Sequence, residues 1–325
     1  NTWRGFAQIP CGTVTDIIAE VMPGQGRAVV MMAHYDSVPA GPGAADDAAG
    51  VAAVLESARA LRSSGSGSLH PVIALITDGE EAGLLGANAF LQNTALRARV
   101  GAVVNVEARG TSGPSLLFQT SPGGARLIGL YAAHVRAVAS SSLYAEIYRH
   151  LPNDTDLTLF IRDGFAGFNF AFAGNVRYYH SALDARRNLS IASLQMQGDS
   201  LLGVVRALED TPYAALRGAN EIYLSVFNRF MPRVPAGWAL PLAIAAFALT
   251  ALAAWRARAR PVGRARVRRV LPAVLMPPVL IGGALLIAGL LVQIARRLSG
   301  MPDAAYAHPA ALRVALAFGA WTMTL

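Results

Sequence analysis

At 325 residues the chain is long enough for more than one structural unit, and its character changes near residue 211. Residues 1–210 hold 15 Arg against 18 Asp and Glu, whereas residues 211–325 hold 13 Arg against Glu221 and Asp303 alone. The net charge of +8 therefore comes wholly from the apolar back of the chain, where it reads as membrane topology and not as a nucleic-acid footprint. All 28 basic residues are Arg, as a GC-rich coding bias would produce, which suggests a bacterial source. Cys11 is the single cysteine, so a disulfide within the chain, a cysteine-based metal cluster and a redox pair are all excluded.

In chain order, residues 28–33 form a short apolar run followed by turn chemistry, the pattern of a buried strand. Residues 48–61 place apolar side chains at helical spacing, and Asp46 and Asp47 stand where a helix start favours carboxylates. The Ser and Gly cluster at 63–68 reads as a surface loop, and residues 72–77 and 102–106 as two more buried strands. This alternation predicts an α/β fold, a mostly parallel mixed sheet covered by helices on both faces. Residues 1–210 are expected to form that domain, 211–235 a linker and 236–325 a transmembrane region.

Residues 236–255 carry no charge, and 20 residues at about 1.5 Å each span the roughly 30 Å hydrocarbon core of a bilayer. A second apolar run, 270–295, is long enough to cross with some tilt, with a kink expected at Pro277 and Pro278. A third, 309–325, starts near Pro309 and contains Arg313. Between the first two lie Arg256, Arg258, Arg260, Arg264, Arg266, Arg268 and Arg269 with no acid among them. The positive-inside rule makes that loop cytoplasmic and sets residues 1–235 on the opposite face, periplasmic or extracellular in a bacterium. The chain has no initiator Met or signal peptide and stops inside an apolar run, so both ends read as cuts in a longer protein.

Four passages carry chemistry. In AHYDSVPAGPGAADDAAG, residues 33–50, an apolar strand runs into His34, Asp36, Asp46 and Asp47. In open α/β sheets ligands bind at the carboxyl ends of strands, so the position suits a site as well as the residue types do. His34 and Asp36 share one face of an extended segment, which lets one ligate while the other orients it. In ITDGEEAGLLGANAF, residues 76–90, a second strand ends at adjacent Glu80 and Glu81, whose side chains point in different directions. One of the pair can bind metal while the other faces a reacting water, and two like charges side by side argue for a cation nearby. VVNVEARG, residues 103–110, sets Glu107 at the end of a third strand, and YYHSALD, residues 178–184, adds His180 and Asp184. Imidazole and carboxylate ligands without thiolate suit a catalytic zinc, and also manganese or cobalt.

Through these motifs, residues 10–210 resemble the di-zinc aminopeptidases of metallopeptidase family twenty-eight, a zinc-exopeptidase fold. The resemblance implies two zinc ions, with Asp46 bridging them, His34 and Glu107 completing one and Glu81 and His180 the other. It further implies Glu80 as general base, Tyr179 as donor to the tetrahedral oxyanion, Asp36 as the partner of His34, and peptides as substrates. Soluble members usually place Asp where Glu107 stands. The Glu is similar to the membrane-anchored branch, the endoplasmic-reticulum and vacuolar-membrane peptidases. LPNDTDLTLF, residues 151–160, resembles an acidic segment of that branch, with Asp154 and Asp156 given no role beyond shaping the cleft. Two other functions share such a fold: a catalytically silent receptor or scaffold, which would usually have lost ligands, and a glutaminyl-cyclase-like acyltransferase, which needs one zinc. His70, His134 and His150 read as solvated or hydrogen-bonded side chains, and Asp184 as a support to the ligands.

Overall fold

A computed structural model describes residues 2–3, 6–7, 11–64, 69–151, 153–259 and 297. Two short paired strands, β1 (Thr2–Trp3) and β2 (Phe6–Ala7), precede β3 (Ile17–Met22), β4 (Ala28–His34), helix α1 (Ala48–Ser64) and β5 (Val72–Thr77). Helices α2 (Leu85–Gln92) and α3 (Thr94–Ala98) lead into β6 (Val100–Ala108) and β7 (Leu116–Thr120). Then come α4 (Ala125–His134), α5 (Ser142–Arg149), α6 (Asp156–Arg162), β8 (Ala166–Phe172) and the long α7 (Ile191–Glu209). A hairpin of β9 (Glu221–Tyr223) and β10 (Arg233–Pro235) precedes helix α8 (Ala239–Ala259).

Six strands form one sheet in the order β3-β5-β4-β6-β8-β7. The four central strands are mutually parallel, and β3 and β7 pair antiparallel at the two edges. Strands β4, β5 and β6 are buried along their whole length, as expected of strands covered on both faces. Side chains alternate across the sheet with period two. Val29, Met31, Ala33, Val104 and Val106 face α1, α4 and α7, packing on Val54, Leu127, Leu201 and Val205. Val30, Met32, Leu75 and Val103 face α2 and α6, packing on Phe90, Leu157 and Phe160. The mixed, helix-covered α/β sheet anticipated from the alternating pattern is thus the fold observed.

Helix α1 continues through Ser64, into the stretch expected as a loop, and residues 65–68 lie outside the described residues. Residues 211–235, expected as a linker, have structure of their own. They contain a 3-10 turn (Tyr213–Leu216) and the β9–β10 hairpin, and Leu216 and Tyr223 are buried in the main core. His70 stacks on Tyr213 with ring centroids 4.0 Å apart, tying the turn to the body of the domain. Apolar positions spaced for contact and not for periodicity gave no helical or strand signal here.

The described residues divide into two units at the junction of Ala236 and Gly237. In the second unit, Ala236–Ala253 is apolar enough to cross a membrane, with mean hydropathy 1.8 and none of that window buried. Trp238 and Trp255 stand near the two ends of this stretch. The spans expected at 270–295 and 309–325 lie outside the described residues.

Candidate metal centre

Because β4, β5, β6 and β8 are parallel, their carboxyl ends share one edge of the sheet, and the chain places its acids and histidines there. His34 is the last residue of β4, and Glu107 is the penultimate residue of β6. Gly79, at φ 69, takes the left-handed conformation that turns the chain after β5 and presents Glu80 and Glu81. Asp46 lies just before α1, joined to Asp47 by a cis peptide bond, and His180 lies in the loop after β8 with φ 52. That value is uncommon for a residue with a Cβ, and it marks His180 as held by its surroundings.

The five expected ligands meet around Asp46. One carboxylate oxygen, Asp46 Oδ1, lies 3.3 Å from His34 Nε2, which is itself 3.4 Å from Glu107 Oε2. The other, Oδ2, lies 3.2 Å from His180 Nε2, which is 2.9 Å from Glu81 Oε1. Two triads result, His34, Asp46 and Glu107 on one side and Asp46, Glu81 and His180 on the other, each with its ligand atoms within 4.8 Å of one another. His34 Nε2, Asp46 Oδ2, Glu81 Oε1 and His180 Nε2 are buried, and none makes a hydrogen bond among the described residues. Buried polar atoms are almost always hydrogen-bonded, so four orphans aimed at a shared centre match a site built for cations. Nitrogen and carboxylate donors without sulfur suit zinc.

Around the triads the supports are backbone bonds. Asp36 accepts from the amides of Glu80 and Glu81 with its two oxygens, at 3.0 and 3.1 Å, while Oδ1 also lies 3.4 Å from His34 Nδ1. It therefore ties the end of β4 to the turn after β5. Asp184 accepts from the amides of Ala45 and Asp46 at 2.7 and 3.1 Å, steadying the backbone that carries the shared carboxylate. Asp47, read with Asp46 both as part of the acidic passage and as a helix cap, does cap α1 by accepting from Gly50 N at 3.1 Å, and its second oxygen accepts from His34 N. A Cβ at Gly50 would come within 2.3 Å of that carboxylate, so glycine is required there.

Several participants were not among the expected site residues. Asn105, two residues before Glu107 on the same face of β6, donates to Glu107 Oε1 at 3.0 Å and to Asn169 Oδ1 on β8. Asn169 in turn donates to Thr155 Oγ1 at 2.8 Å. Asp156, at the start of α6, is buried and accepts from Thr77 Oγ1 at the end of β5. A lone polar residue inside an otherwise apolar strand is the signal that would have found Asn105 and Asn169. Arg109 stacks its guanidinium 4.7 Å from the Tyr179 ring centroid, and Tyr179 stacks on His180 at 3.6 Å.

Electrostatics follow from that packing. Burial works against a charged His34, but Glu107, Asp36 and Asp46 outweigh it and hold the imidazolium well above the ordinary histidine range. For His180, burial is likewise outweighed by Asp46 and Glu81, and its pKa is pushed up to about 9. Burial favours a protonated Asp46, yet the cationic His180 and His34 side chains beside it hold it below the usual carboxylate range. Glu80 lacks such partners, so burial, with Glu107 beside it, pushes its carboxyl well up. Burial also raises Asp156 to about 7, against the Thr77 hydrogen bond. Tyr179 is raised by burial first and by Asp46 next, so its hydroxyl stays a donor.

Beside the triads opens a cavity of about 280 Å³, with Asp46, Glu80, Glu107 and Tyr179 on one wall. The opposite wall is apolar: Leu116 and Phe118 from β7, and Tyr144, Ile147 and Tyr148 from α5 with Leu151. Asn153, Asp154 and Thr155 close one side, so the acidic segment does line the cleft. Helix α5 buries none of its residues, and Ile147 is 50% exposed.

Residues 16–205 match peptidase family M28. The chain belongs to this family. It is 29% identical over 231 residues to the human protein named endoplasmic reticulum metallopeptidase 1, covering 68% of this chain and 26% of that protein. It is 30% identical over 242 residues to the vacuolar membrane protease of Botryotinia fuckeliana, covering 68% of this chain and 23% of that protein. The chain thus spans about a quarter of the length of these curated M28 relatives. Among solved structures, an aminopeptidase from Aneurinibacillus sp. strain AM-1 aligns with a TM-score of 0.51 at 20% identity, over 63% of this chain and 50% of that one. A zinc aminopeptidase from Bacillus subtilis aligns at 0.50 and 22% identity, over 63% and 53% of the two chains. These two are likenesses of fold.

Proposed function

We propose that the chain is a membrane-anchored zinc aminopeptidase that removes N-terminal residues from peptides. The observation that carries this reading is the Asp46 carboxylate set between two histidines, each backed by a further carboxylate, with the facing atoms unpartnered. His34 and Glu107 would hold one zinc, Glu81 and His180 the other, and Asp46 both. Bound there, zinc would supply Lewis-acid polarisation of the scissile carbonyl and a lowered pKa for the attacking water.

The chain's own groups supply the rest. Glu80 lines the cavity and is not a member of either triad, which leaves its carboxylate free to take a proton from the attacking water and pass it to the leaving amine. The Tyr179 hydroxyl, kept protonated by burial, donates to the oxyanion of the tetrahedral intermediate. The apolar wall formed by Leu116, Phe118, Tyr144 and Ile147 excludes water and accommodates an apolar N-terminal side chain. A silent scaffold would have no use for a complete ligand set with a general base beside it.

The anchor is α8. Its 21 residues measure about 31 Å at helical rise. Trp238 and Trp255 sit where interfacial aromatics belong, and the Arg run beginning at Arg256 favours the cytoplasmic side for its carboxyl end. The catalytic unit, residues 1–236, then stands on the other face. The test is Glu80→Gln in the full chain, assayed on a panel of aminoacyl amides together with metal content. The expected result is retained zinc with turnover lowered by about 10²- to 10⁴-fold. Undiminished hydrolysis by a fully loaded variant would overturn the assignment.

A further inference from the structure

We infer that the loop of the β9–β10 hairpin is a second membrane contact, an apolar tip that inserts into the lipid interface. The hairpin pairs Glu221–Tyr223 with Arg233–Pro235, and its loop closes through a second bridge between Val226 and Phe230. At the turn, Phe227 and Asn228 both take φ 52. A left-handed aromatic residue is disfavoured by roughly 1–2 kcal/mol, so the turn is one the surrounding bonds impose. Its consequence is that Phe227 points outward, 89% exposed, with Phe230 at 64% and Leu224 at 50%.

This tip is firmly mounted. Tyr223 is buried in the main core, Ser225 N donates to Ser140 O at 2.7 Å, and Val138 N donates to Asn228 O at 3.1 Å. Arg233 donates to Glu221 and to the carbonyl of Ala125. A rigid loop that holds two phenylalanines in the open is a surface made for contact with something apolar.

Covalent continuity identifies the partner. Phe230 precedes Ala236, where the apolar stretch of α8 begins, by six residues, so the two are at most about 20 Å apart even when fully extended. The segment 211–235 also has one acid, Glu221, which is paired with Arg233, whereas Arg217 and Arg229 are exposed with no carboxylate partner among the described residues. Exposed Phe227 and Phe230 with the unpaired Arg229 between them suit an anionic lipid interface. The inference rests on reading α8 as a span.

The test uses the full chain with Cys11→Ser, into which Phe227→Cys or Phe230→Cys is introduced and labelled with an environment-sensitive dye. Asn93→Cys, exposed at the α2–α3 junction, is the control. Each is reconstituted into phosphatidylcholine–phosphatidylglycerol vesicles carrying a nitroxide near the headgroups, and carbonate washing checks that the chain is embedded. The expected result is blue-shifted emission and several-fold stronger quenching at positions 227 and 230 than at 93. An embedded chain whose hairpin positions quench no more than the control, including one whose dye is instead shielded by a second copy, would overturn the hairpin's role and leave the span intact. A chain released by carbonate would overturn both.

Discussion

Asp36 occupies a position where one side chain controls two parts of the site. Its carboxylate faces His34 Nδ1 and receives both amides of the Glu80–Glu81 turn, so its loss would loosen a proposed zinc ligand and the proposed general base together. We expect Asp36→Ala to weaken zinc binding by about 10- to 100-fold, read by competition with a chelating dye. His180 gives a pH-dependent outcome in the metal-free protein. Burial lowers its pKa but Asp46 and Glu81 raise it more, to about 9. A raised histidine contributes stability in full below its ordinary value near 6.5, and that contribution is lost as pH rises through about 9. The melting-temperature gap between metal-free wild type and metal-free His180→Ala should therefore be wider near about pH 6 than near about pH 10. Residue identity was legible in the sequence wherever a charged side chain interrupted an apolar strand or followed a turn, as at His34, Glu80, Glu81 and Glu107. The second job of Asp47, and the pairing of Asn105 with Asn169 across β6 and β8, depend on which strands are neighbours, and no local pattern records that pairing.

Elements bring the ligands together through strand direction. Four parallel strands end at one edge, so residues 34, 80, 81 and 107, distant in sequence, need no long loops to converge. The apolar runs that define β4, β5 and β6 were readable because central strands are buried on both faces and tolerate few polar residues. The edge strands β3 and β7 carry mixed, partly exposed sequences and left no comparable trace. The same holds for residues 211–235, where Leu216 and Tyr223 are buried in the core and Tyr213 and Met231 pack against it without a periodic pattern. Leu216→Ala should cost about 2–5 kcal/mol in chemical denaturation of the detergent-solubilised chain, against a change within about 0.5 kcal/mol for the exposed Arg217→Ala. A null effect of Leu216→Ala would mean that this segment is a linker after all. Helix α5 is the element whose role the sequence hid most. Its apolar side chains face the cleft and not the core, so a burial pattern describes it poorly.

At the scale of the whole chain, the units divide after Ala236, about 25 residues beyond the reversal of charge near residue 211, because 211–235 packs on the first unit. If α8 crosses the bilayer with Arg256 inward, a protease added outside intact cells should cut an engineered site in the exposed turn at Gln25 and Gly26 and spare one placed after Arg256. The opposite pattern would reverse the orientation of the catalytic unit. The central claim is the paired metal site, and zinc titration of the chelator-stripped full chain tests it most directly, with hydrolysis of a leucine amide followed at each addition. The account predicts that activity returns with zinc and levels off at two equivalents per chain. Activity complete at one equivalent, with cyclisation of N-terminal glutamine in place of amino-acid release, or full occupancy with no hydrolysis, would contradict it.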